Sequence, residues 1–430
     1  MASDLQPAIL EVGRALDAAY PSRTRNPLKA IDERAMALAA TDQELKAALF
    51  RFVDVTPACR SLDDLARHLT GFLDELPERP PSLDMAVRMA RSRTGRAALG
   101  AAAAAGVRHM AHRFIAGESP RAARGELRGL WSRGVAASVD LLGEATVSAA
   151  EADRYAARCA EALDELAEAA AASDLPAADA NLSVKVSALT PLMRPDAPDL
   201  GREDAAGRLR PLLRRARELG AHLHIDMESL DSLETTLDLV LDLLGEEEFA
   251  GGPSAGLVLQ AYLRDSPAEL DRILAWARSC PRTPPLVVRL VKGAYWDHEV
   301  VEARQHGWSP PVFESKADCD RNFEALTRRL LDAAPLVRVA IASHNLRSVA
   351  HAIAYADGRE LELQVLRGLG DELGQALATR GHRVRVYCPV GDLVAGMAYL
   401  VRRLLENTAN DSFLGAQARG APVEELLAAP

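Results

Sequence analysis

Cationic and aromatic residues that could bind a small carboxylate lie close together near the C-terminus. They are Arg383, Arg385 and Tyr387 in a run typical of a strand, and Tyr399, Arg402, Arg403 and Glu406 in the helical pattern that follows. Side chains two apart share one face of a strand, and side chains three or four apart share one face of a helix. Adjacent cations beside two tyrosines would suit a carboxylate attached to an apolar ring. The helical residues also fit a simpler interpretation, the solvated face of an amphipathic helix.

Polar side chains also interrupt several other runs that read as strands. The interior of a β/α barrel is normally filled by branched apolar side chains, and a buried cation needs an anionic partner or a ligand. One such residue would indicate only a structural ion pair, but six candidate strands carry one each. These residues are Lys185, Asp226, Gln260, Arg289, Gln364 and Tyr387. The pattern predicts a polar site inside the mouth of a barrel.

Two further patterns leave alternatives open. The run Arg289–Trp296 places a cation, a glycine and two aromatic residues after a strand, which could cradle a phosphate and stack on a ring. The same residues could instead be a rim charge and ordinary packing.

The face shared by His222, His224 and Asp226 would suit a metal ion. His222 falls at the strand start, however, and His344 alone offers a further histidine near a strand end, so metal is the less favoured interpretation.

The elements that must position these residues alternate between strands and helices from about residue 125. Repeated alternation of this kind predicts a parallel β/α barrel. A doubly wound open sheet is the alternative, but no Gly-x-Gly-x-x-Gly sequence follows the first strand. The predicted strands are Ala136–Leu142, Leu182–Ala188, His222–Met227, Gly256–Leu263, Leu286–Val291, Arg338–Ser343, Leu361–Leu366 and Arg383–Tyr387. The residues before them read as helical, including the segment Leu83–Ala116.

Composition narrows the class of protein further. A formal net charge of -10 argues against nucleic acid as a main partner, because surfaces that bind nucleic-acid phosphates need an excess of basic residues. No apolar run is long enough to span a membrane, and the N-terminus lacks the pattern of a secretory signal. The five scattered cysteines form no Cys-x-x-Cys pair, so we expect a reducing, cytoplasmic location.

The polar residues fall within motifs that resemble a known family. The chain is similar to proline dehydrogenases, most of all to the proline dehydrogenase domain of bifunctional proline utilization A enzymes. The resemblance covers roughly residues 115–415 in family order. The matching segments are Asp140–Glu144, Ser183–Ala188, Ile225–Asp226, Leu259–Tyr262, Arg289–Asp297, Ser343–Asn345, Glu362–Leu366, Tyr387–Gly391 and Ala398–Asn407.

The resemblance implies a fold and a domain organisation. The expected fold is α/β, a distorted (β/α)8 TIM-like barrel preceded by an N-terminal helical arm and helical domain. The expected domains are residues 1–124 for the helices, 125–415 for the barrel and 416–430 for a tail. Residues 416–430 would equally suit the start of a linker to an aldehyde dehydrogenase domain, so the chain could be one enzyme or a piece of a bifunctional one.

The resemblance also implies an activity, the oxidation of L-proline to 1-pyrroline-5-carboxylate with hydride transfer to N5 of non-covalently bound FAD. This is the first step of proline catabolism to glutamate. Arg402, Arg403 and Lys185 would hold the proline carboxylate. Tyr387, Tyr399 and Leu366 would surround the pyrrolidine ring, and Asp226 would orient the cations. A binding module without turnover and a metal hydrolase are the alternatives from other functional classes.

The implied cofactor contacts lie on several elements. Arg289 and Gln260 would face the reactive edge of the flavin, and other residues would line the remainder of FAD. These are Lys292, Gly293, Ala294, Trp296, Lys316, His344 and Glu406. The chain departs from the family where a threonine is usual, at Glu314 or Ser315, and it has Leu369 in place of a methionine. The implied electron acceptor is quinone or another acceptor, with contact at the inner face of the membrane.

Overall fold

A closed barrel of eight parallel strands forms the centre of the molecule. This computed structural model describes residues 5–20, 43–143, 145–392, 396 and 421–430. The strands are β1 (Val135–Leu141), β2 (Asn181–Lys185), β3 (His222–Asp226), β4 (Ser254–Gln260), β5 (Val287–Val291), β6 (Arg338–Ala342), β7 (Glu362–Leu366) and β8 (Arg383–Val390). Each strand pairs with the next in the chain, and β8 pairs with β1. The predicted fold and all eight predicted strands are confirmed, to within three residues at each strand end.

Helices follow the strands and cover the outside of the barrel. They are α7 (Ala149–Ala171), α8 (Pro198–Leu219), α9 (Leu230–Gly245), α10 (Ser266–Ser279), α11 (Trp296–Gln305), α12 (Lys316–Asp332), α13 (Leu346–Ala356) and α14 (Asp371–Thr379). The second strand ends earlier than predicted, because Val186–Ala188 form a 3-10 turn. In the described ranges, no helix is both long and apolar enough to cross a bilayer.

The alternation of side chains along the strands separates an apolar outer face from a polar inner face. Leu223 and Ile225 on β3 are fully buried between the sheet and its helices, as are Leu182 and Val184 on β2. Because side chains alternate along a strand, the residues between them face the barrel interior. The inward residues are largely polar, whereas barrel interiors are usually filled by branched apolar side chains. The inner face must therefore be held together by ion pairs and hydrogen bonds.

In the described part of the chain, six helices precede the first strand. They are α1 (Gln6–Ala18), α2 (Gln43–Val55), α3 (Leu62–Asp74), α4 (Pro81–Met89), α5 (Arg93–Phe114) and α6 (Pro120–Trp131). The segment Leu83–Ala116, predicted to be helical, is divided into two helices, because the chain turns between α4 and α5. Ser92 is extended there, and its side-chain oxygen accepts a hydrogen bond from the amide of Gly95. This N-cap starts a new helix. A Cβ at Gly95 would lie 1.9 Å from the carbonyl oxygen of Met89, so only glycine permits the close approach.

The first helix and the C-terminal segment both pack on the barrel. Arg347 on α13 is buried and binds Glu324 of α12 at 2.7 Å. The same guanidinium donates to Gln6 Oε1 of α1 at 2.7 Å and to the carbonyl of Leu427 at 2.8 Å. Leu427 follows α15 (Val423–Leu426) and packs against Gly13. One buried arginine thus joins two barrel helices to both terminal segments. Helices α2 to α5 instead bury apolar side chains in two smaller clusters of their own.

A buried arginine also organises the N-terminal half of the barrel interior. Arg385 donates to Asp179 Oδ2 at 2.7 Å, to Glu362 Oε1 at 2.9 Å and to the carbonyl of Ala137 at 2.7 Å. Burial opposes the charged form of Glu362, but the Arg385 guanidinium outweighs it and lowers the pKa of that carboxyl to about 2. Glu362 therefore stabilises the fold as a carboxylate.

We predict that this carboxylate sets part of the acid sensitivity of the fold. Because its pKa is lower in the folded than in the unfolded chain, its contribution is complete above pH 4.5 and is lost as the pH falls towards 2. The shift corresponds to roughly 3 kcal/mol. In urea unfolding, Glu362→Gln should lower the free energy of unfolding at neutral pH, and the deficit relative to wild type should shrink below pH 4.5.

Glu360→Gln is the matched control, because Glu360 is close in the chain but its side chain is 67% exposed in its ion pair with Arg383. Exposed pairs contribute at most about 1 kcal/mol. A deficit of Glu362→Gln that stays constant with pH would contradict the assignment.

Candidate active site

Charged and aromatic side chains converge inside the barrel at the C-terminal ends of its strands. They are Asp140 on β1, Lys185 on β2, Asp226 on β3, Arg289 on β5 and Tyr387 on β8. Asp140, Lys185 and Asp226 lie at or next to the last residue of their strands, and the carboxyl ends of parallel strands meet at one end of a barrel. Arg289 and Tyr387 lie further back on their strands. Lys185 and Asp226 are direct Cα partners in the pairing of β2 with β3. The predicted polar residues of these strands therefore do meet.

Two ion pairs and a phenol make up this cluster. The Lys185 ammonium contacts the Asp140 carboxylate, and the Arg289 guanidinium contacts Asp226. Tyr387 donates its hydroxyl hydrogen to the second oxygen of Asp226, at 2.7 Å. The Arg289 guanidinium carbon also lies 5.3 Å from the centre of the Tyr387 ring. Arg289 is 5% exposed and Asp226 8% exposed, so each buried charge has the partner that its burial requires.

The electrostatic environment fixes two protonation states. Burial disfavours the ammonium form of Lys185, but Asp140 and Asp226 together outweigh burial and raise the pKa of this lysine above its usual value. Burial also raises the pKa of Tyr387 far above its usual value, and the nearby Asp140 and Asp226 carboxylates add to that effect. At neutral pH the site therefore presents a permanent cation and a neutral phenol.

Gln260, at the end of β4, has hydrogen-bonding capacity left over. Its side-chain nitrogen donates to the carbonyl of Glu228 at 3.0 Å. Its oxygen is buried and has no partner among the residues that the structure describes, and the residue is only 2% exposed. Buried polar atoms almost always have partners, so an unpaired acceptor inside a barrel mouth indicates a place for a ligand with a donor.

A second group of charges lies where β5 passes into α11. Asp320 on α12 binds the ammonium of Lys292 and also accepts from Lys316, at 2.9 Å from its Nζ. Burial lowers the pKa of Lys292 in spite of the Asp320 carboxylate. Gly293 has a φ of +126°, and a Cβ there would lie 2.4 Å from the ring of Tyr262. The turn thus depends on glycine, and it brings a largely buried cation close to the strand ends.

The other predicted residues of the site occupy the same end of the barrel. The indole nitrogen of Trp296 donates to the carbonyl of Phe313 at 2.9 Å. The amide of Leu366 donates to His344 Nε2 at 2.9 Å. Ala294 is exposed in the β5–α11 loop. Four predicted residues lie outside the described part of the chain: Tyr399, Arg402, Arg403 and Glu406.

Two patterns noted on the strands do not contribute to this site as a group. Gln364 does not join the site at the strand ends, because its amide donates to Glu362 at 2.7 Å, towards the N-terminal half of the barrel. His222 and His224 do not converge with Asp226 on a metal site. The two histidine rings are hydrogen-bonded to each other at 3.1 Å, while Asp226 binds Arg289 and Tyr387.

Two carboxylates that complete the site, Asp140 and Asp320, had no predicted role. Asp140 lies in one of the family-like segments and alternates with Ser138 on β1, so strand periodicity places it on the inner face. Asp320 follows Lys316 by four residues on α12, the spacing of a helical ion pair. Asp140 binds Lys185 and Asp320 binds Lys292, each on a different element. Neither sequence pattern identifies these partners.

Comparisons with known proteins agree with this architecture. Residues 123–416 match the family model described as proline dehydrogenase, and residues 6–114 match the model described as the proline utilization A N-terminal domain. The proline dehydrogenase of Deinococcus radiodurans is 30% identical over 311 residues, which cover 71% of this chain and 89% of that protein.

Longer proteins are also similar. The bifunctional protein PutA of Salmonella typhimurium is 35% identical over 337 residues, which cover 75% of this chain and 25% of that protein. The crystal structure of proline utilization A from Bdellovibrio bacteriovorus inactivated by N-propargylglycine has 34% sequence identity and a TM-score of 0.88. That match covers 99% of this chain and 44% of the solved chain. The present chain thus spans about a quarter of the length of the bifunctional relatives it matches.

The arrangement predicts a large cost for breaking the pair of Asp226 with Arg289. Asp226→Asn would leave the buried guanidinium without a carboxylate, which typically costs about 3–5 kcal/mol. Urea unfolding at neutral pH measures this change in the free energy of unfolding. Asp271→Asn is the matched control, because Asp271 pairs with Arg329 but its side chain is 72% exposed. Equal losses in the two variants would mean that Arg289 does not depend on Asp226.

Proposed function

Because the chain belongs to the proline dehydrogenase family, we propose that it oxidises L-proline to 1-pyrroline-5-carboxylate with FAD bound in the mouth of the barrel. The observation that carries this proposal is the cluster at the strand ends, in which Lys185 pairs with Asp140 while Asp226 binds both Arg289 and Tyr387. It supplies a fixed cation and an aromatic wall beside a buried guanidinium. A cyclic amino acid needs such surroundings for its carboxylate and its ring.

The residues present suit a flavin nucleotide. Gln260 offers a buried, unpaired oxygen to a donor such as a ring N–H, Arg289 offers a buried cation and Lys292 a partly exposed one. Lys292, Gly293, Ala294, Trp296, Lys316 and His344 would hold the remaining parts of FAD, with Glu406. Bound FAD supplies the hydride acceptor, its N5 atom. Cations close to a flavin favour its reduced, anionic form, so Arg289 would support reduction.

The substrate is positioned by charge at one end and by aromatic surface at the other. Lys185 stays protonated at neutral pH, and only part of its donor capacity is used by Asp140, so it can also donate to the proline carboxylate. Arg402 and Arg403 would add guanidinium groups, which bind carboxylates with two parallel hydrogen bonds. Tyr387 and Leu366 are direct Cα partners of β8 and β7, and with Tyr399 they would surround the pyrrolidine ring.

Asp226 acts as a positioning residue in this scheme. It holds the Arg289 guanidinium through one oxygen and the Tyr387 hydroxyl through the other. One carboxylate thus fixes a group assigned to the cofactor relative to a group assigned to the substrate. Holding the reacting partners in one orientation lowers the barrier, because less freedom is lost on the way to the transition state.

Several wider features belong to the same proposal. The chain would act in the first step of proline catabolism to glutamate, with quinone or another acceptor reoxidising the cofactor at the inner face of the membrane. An aldehyde dehydrogenase, covalently linked or separate, would consume the product. A relative of this chain is named as a bifunctional protein. We also propose residues 1–124 as the helical arm and domain, 125–415 as the catalytic barrel and 416–430 as a tail or linker.

The proposal predicts a yellow protein. Purified protein, or protein reconstituted with FAD, should show flavin absorbance that bleaches when L-proline is added without oxygen, and it should reduce a dye in the presence of L-proline. D-proline is a matched control substrate, because its carboxylate projects from the opposite side of the ring. A protein that stays colourless and inactive after reconstitution contradicts the proposal.

The substrate assignment predicts separate effects on proline and on FAD. Arg402→Met and Arg403→Met should each raise KM for proline at least tenfold, because a hydrogen bond to a charged group contributes about 1.5–3 kcal/mol. Flavin content should not change. Arg380→Met serves as the control, since Arg380 is exposed where α14 leads into β8, away from the site. Loss of flavin as the only effect would show that these arginines do not bind the substrate.

A further inference from the structure

A second cavity opens at the opposite, N-terminal end of the barrel. Its volume is about 590 Å³, and its lining includes Asn181, His222, His224, Ser254 and Arg338. Arg289 reaches it from the side of the active site. Barrel interiors are normally packed cores, so a cavity of this size requires an explanation. The residues of the proposed active site other than Arg289 do not line it.

Two histidines form the wall of the cavity. His222 Nδ1 lies 2.8 Å from Ser254 Oγ, and its Nε2 lies 3.1 Å from His224 Nδ1. The His224 ring fits only because residue 256 is glycine, since a Cβ there would lie 2.4 Å from His224 Nδ1. Burial lowers the pKa of His222 to about 3, so at neutral pH the pair is uncharged. The remaining ring nitrogen of this pair, His224 Nε2, has no hydrogen-bond partner in the described part of the chain.

A second buried polar atom in the lining is also unpaired. Asn181 Oδ1 has no partner in the described ranges, and Asn181 and His224 are 6% and 2% exposed. Such atoms cost about 1–3 kcal/mol each unless a ligand or water satisfies them. Asn181 Oδ1 can only accept a hydrogen bond, whereas His224 Nε2 can donate or accept, depending on the tautomer. The cavity therefore favours an occupant that carries a hydrogen-bond donor.

The charges around the cavity favour an anion. Arg385 is bound by Asp179 and Glu362, Arg383 by Glu360 and Glu362, and Arg289 by Asp226. Arg359 is bound by Asp332. Arg338 is exposed at the mouth, and its guanidinium has no ion pair or hydrogen bond with any residue that the structure describes. This unpaired cation lines the same cavity as the two unpaired buried atoms of Asn181 and His224. The lining therefore matches a ligand that is anionic at one end and carries a hydrogen-bond donor at the other.

We propose that this cavity binds a small anion that also carries a hydrogen-bond donor, the chemistry shared by hydrogen phosphate and hydroxycarboxylates. Its charged oxygens would pair with Arg338 at the mouth. Its hydroxyl would donate to Asn181 Oδ1 or contact His224 Nε2 inside. This site is separate from the proposed proline site, and it does not depend on the proposed reaction.

Isothermal titration calorimetry of the intact protein tests the site. Inorganic phosphate and L-malate are titrated as separate arms in a buffer free of other polyvalent anions, so that the arm that binds identifies the class of ligand. Arg338→Gln should weaken binding at least tenfold, because it removes the charge-assisted contact. Asn181→Asp should also weaken binding, because it places a negative charge inside the cavity.

Arg380→Gln is the matched control. It removes the same charge from the same end of the barrel, but Arg380 does not line the cavity, so its affinity should equal that of the wild type. Absence of binding in both arms would overturn the proposal, as would equal affinities of Arg338→Gln and Arg380→Gln. If Asn181→Asp does not fold, Arg338→Gln still decides the question, because Arg338 is exposed.

Discussion

The contact of Asp226 with both Arg289 and Tyr387 is the interaction on which the barrel mouth depends. It joins β3, β5 and β8, which are not neighbours in the sheet, through side chains that meet across the interior. A buried guanidinium would be costly alone, and so would a buried carboxylate, but together they satisfy each other. The ion pair between Asp226 and Arg289 therefore depends on the register of β3 in the sheet. A shift of β3 by one residue would turn Asp226 outward and leave Arg289 without its partner.

A similar contact operates in the other half of the barrel, where Arg385 binds Asp179 and Glu362. The interior therefore consists of polar layers held by ion pairs, while the apolar packing lies outside, between sheet and helices. Ion pairs depend on direction and need specific partners, whereas apolar packing tolerates substitution. Such an interior tolerates fewer substitutions than an apolar core. It also contains hydrogen-bond donors and acceptors that a ligand could use at either end of the barrel.

The fold was predictable because its signal is periodic. The repeated alternation of strands with helices from about residue 125 identified the barrel, and the alternation of side chains within strands such as His222–Asp226 identified the inward face. Several site residues followed from the same alternation, among them Lys185 and Tyr387. The partners of these residues were not predictable from pattern, because Asp140 reaches Lys185 across 45 positions in the chain.

The level along the barrel axis at which an inward side chain finds its partner was also not predictable from the sequence. Gln364 and Tyr387 both face inward. Gln364 binds Glu362 towards the N-terminal end of the barrel, whereas Tyr387 binds Asp226 at the C-terminal strand ends. Periodicity gives the face of a strand but not the level at which a side chain finds its partner. The break between α4 and α5 was missed for a related reason. The run is rich in helix formers, and only the hydrogen bond at Ser92 and the close contact at Gly95 reveal the turn.

Arg289 connects the two ends of the interior. Its guanidinium contacts Asp226 at the strand ends, and the same side chain lines the cavity at the opposite end. Asp226 compensates the charge of Arg289, so a charge placed in the cavity changes the field at a guanidinium whose position the barrel mouth fixes. Because the interior has a lower effective dielectric than water, such an effect extends further there than at the surface. The polar interior therefore couples the proposed cavity site electrostatically to the proposed active site.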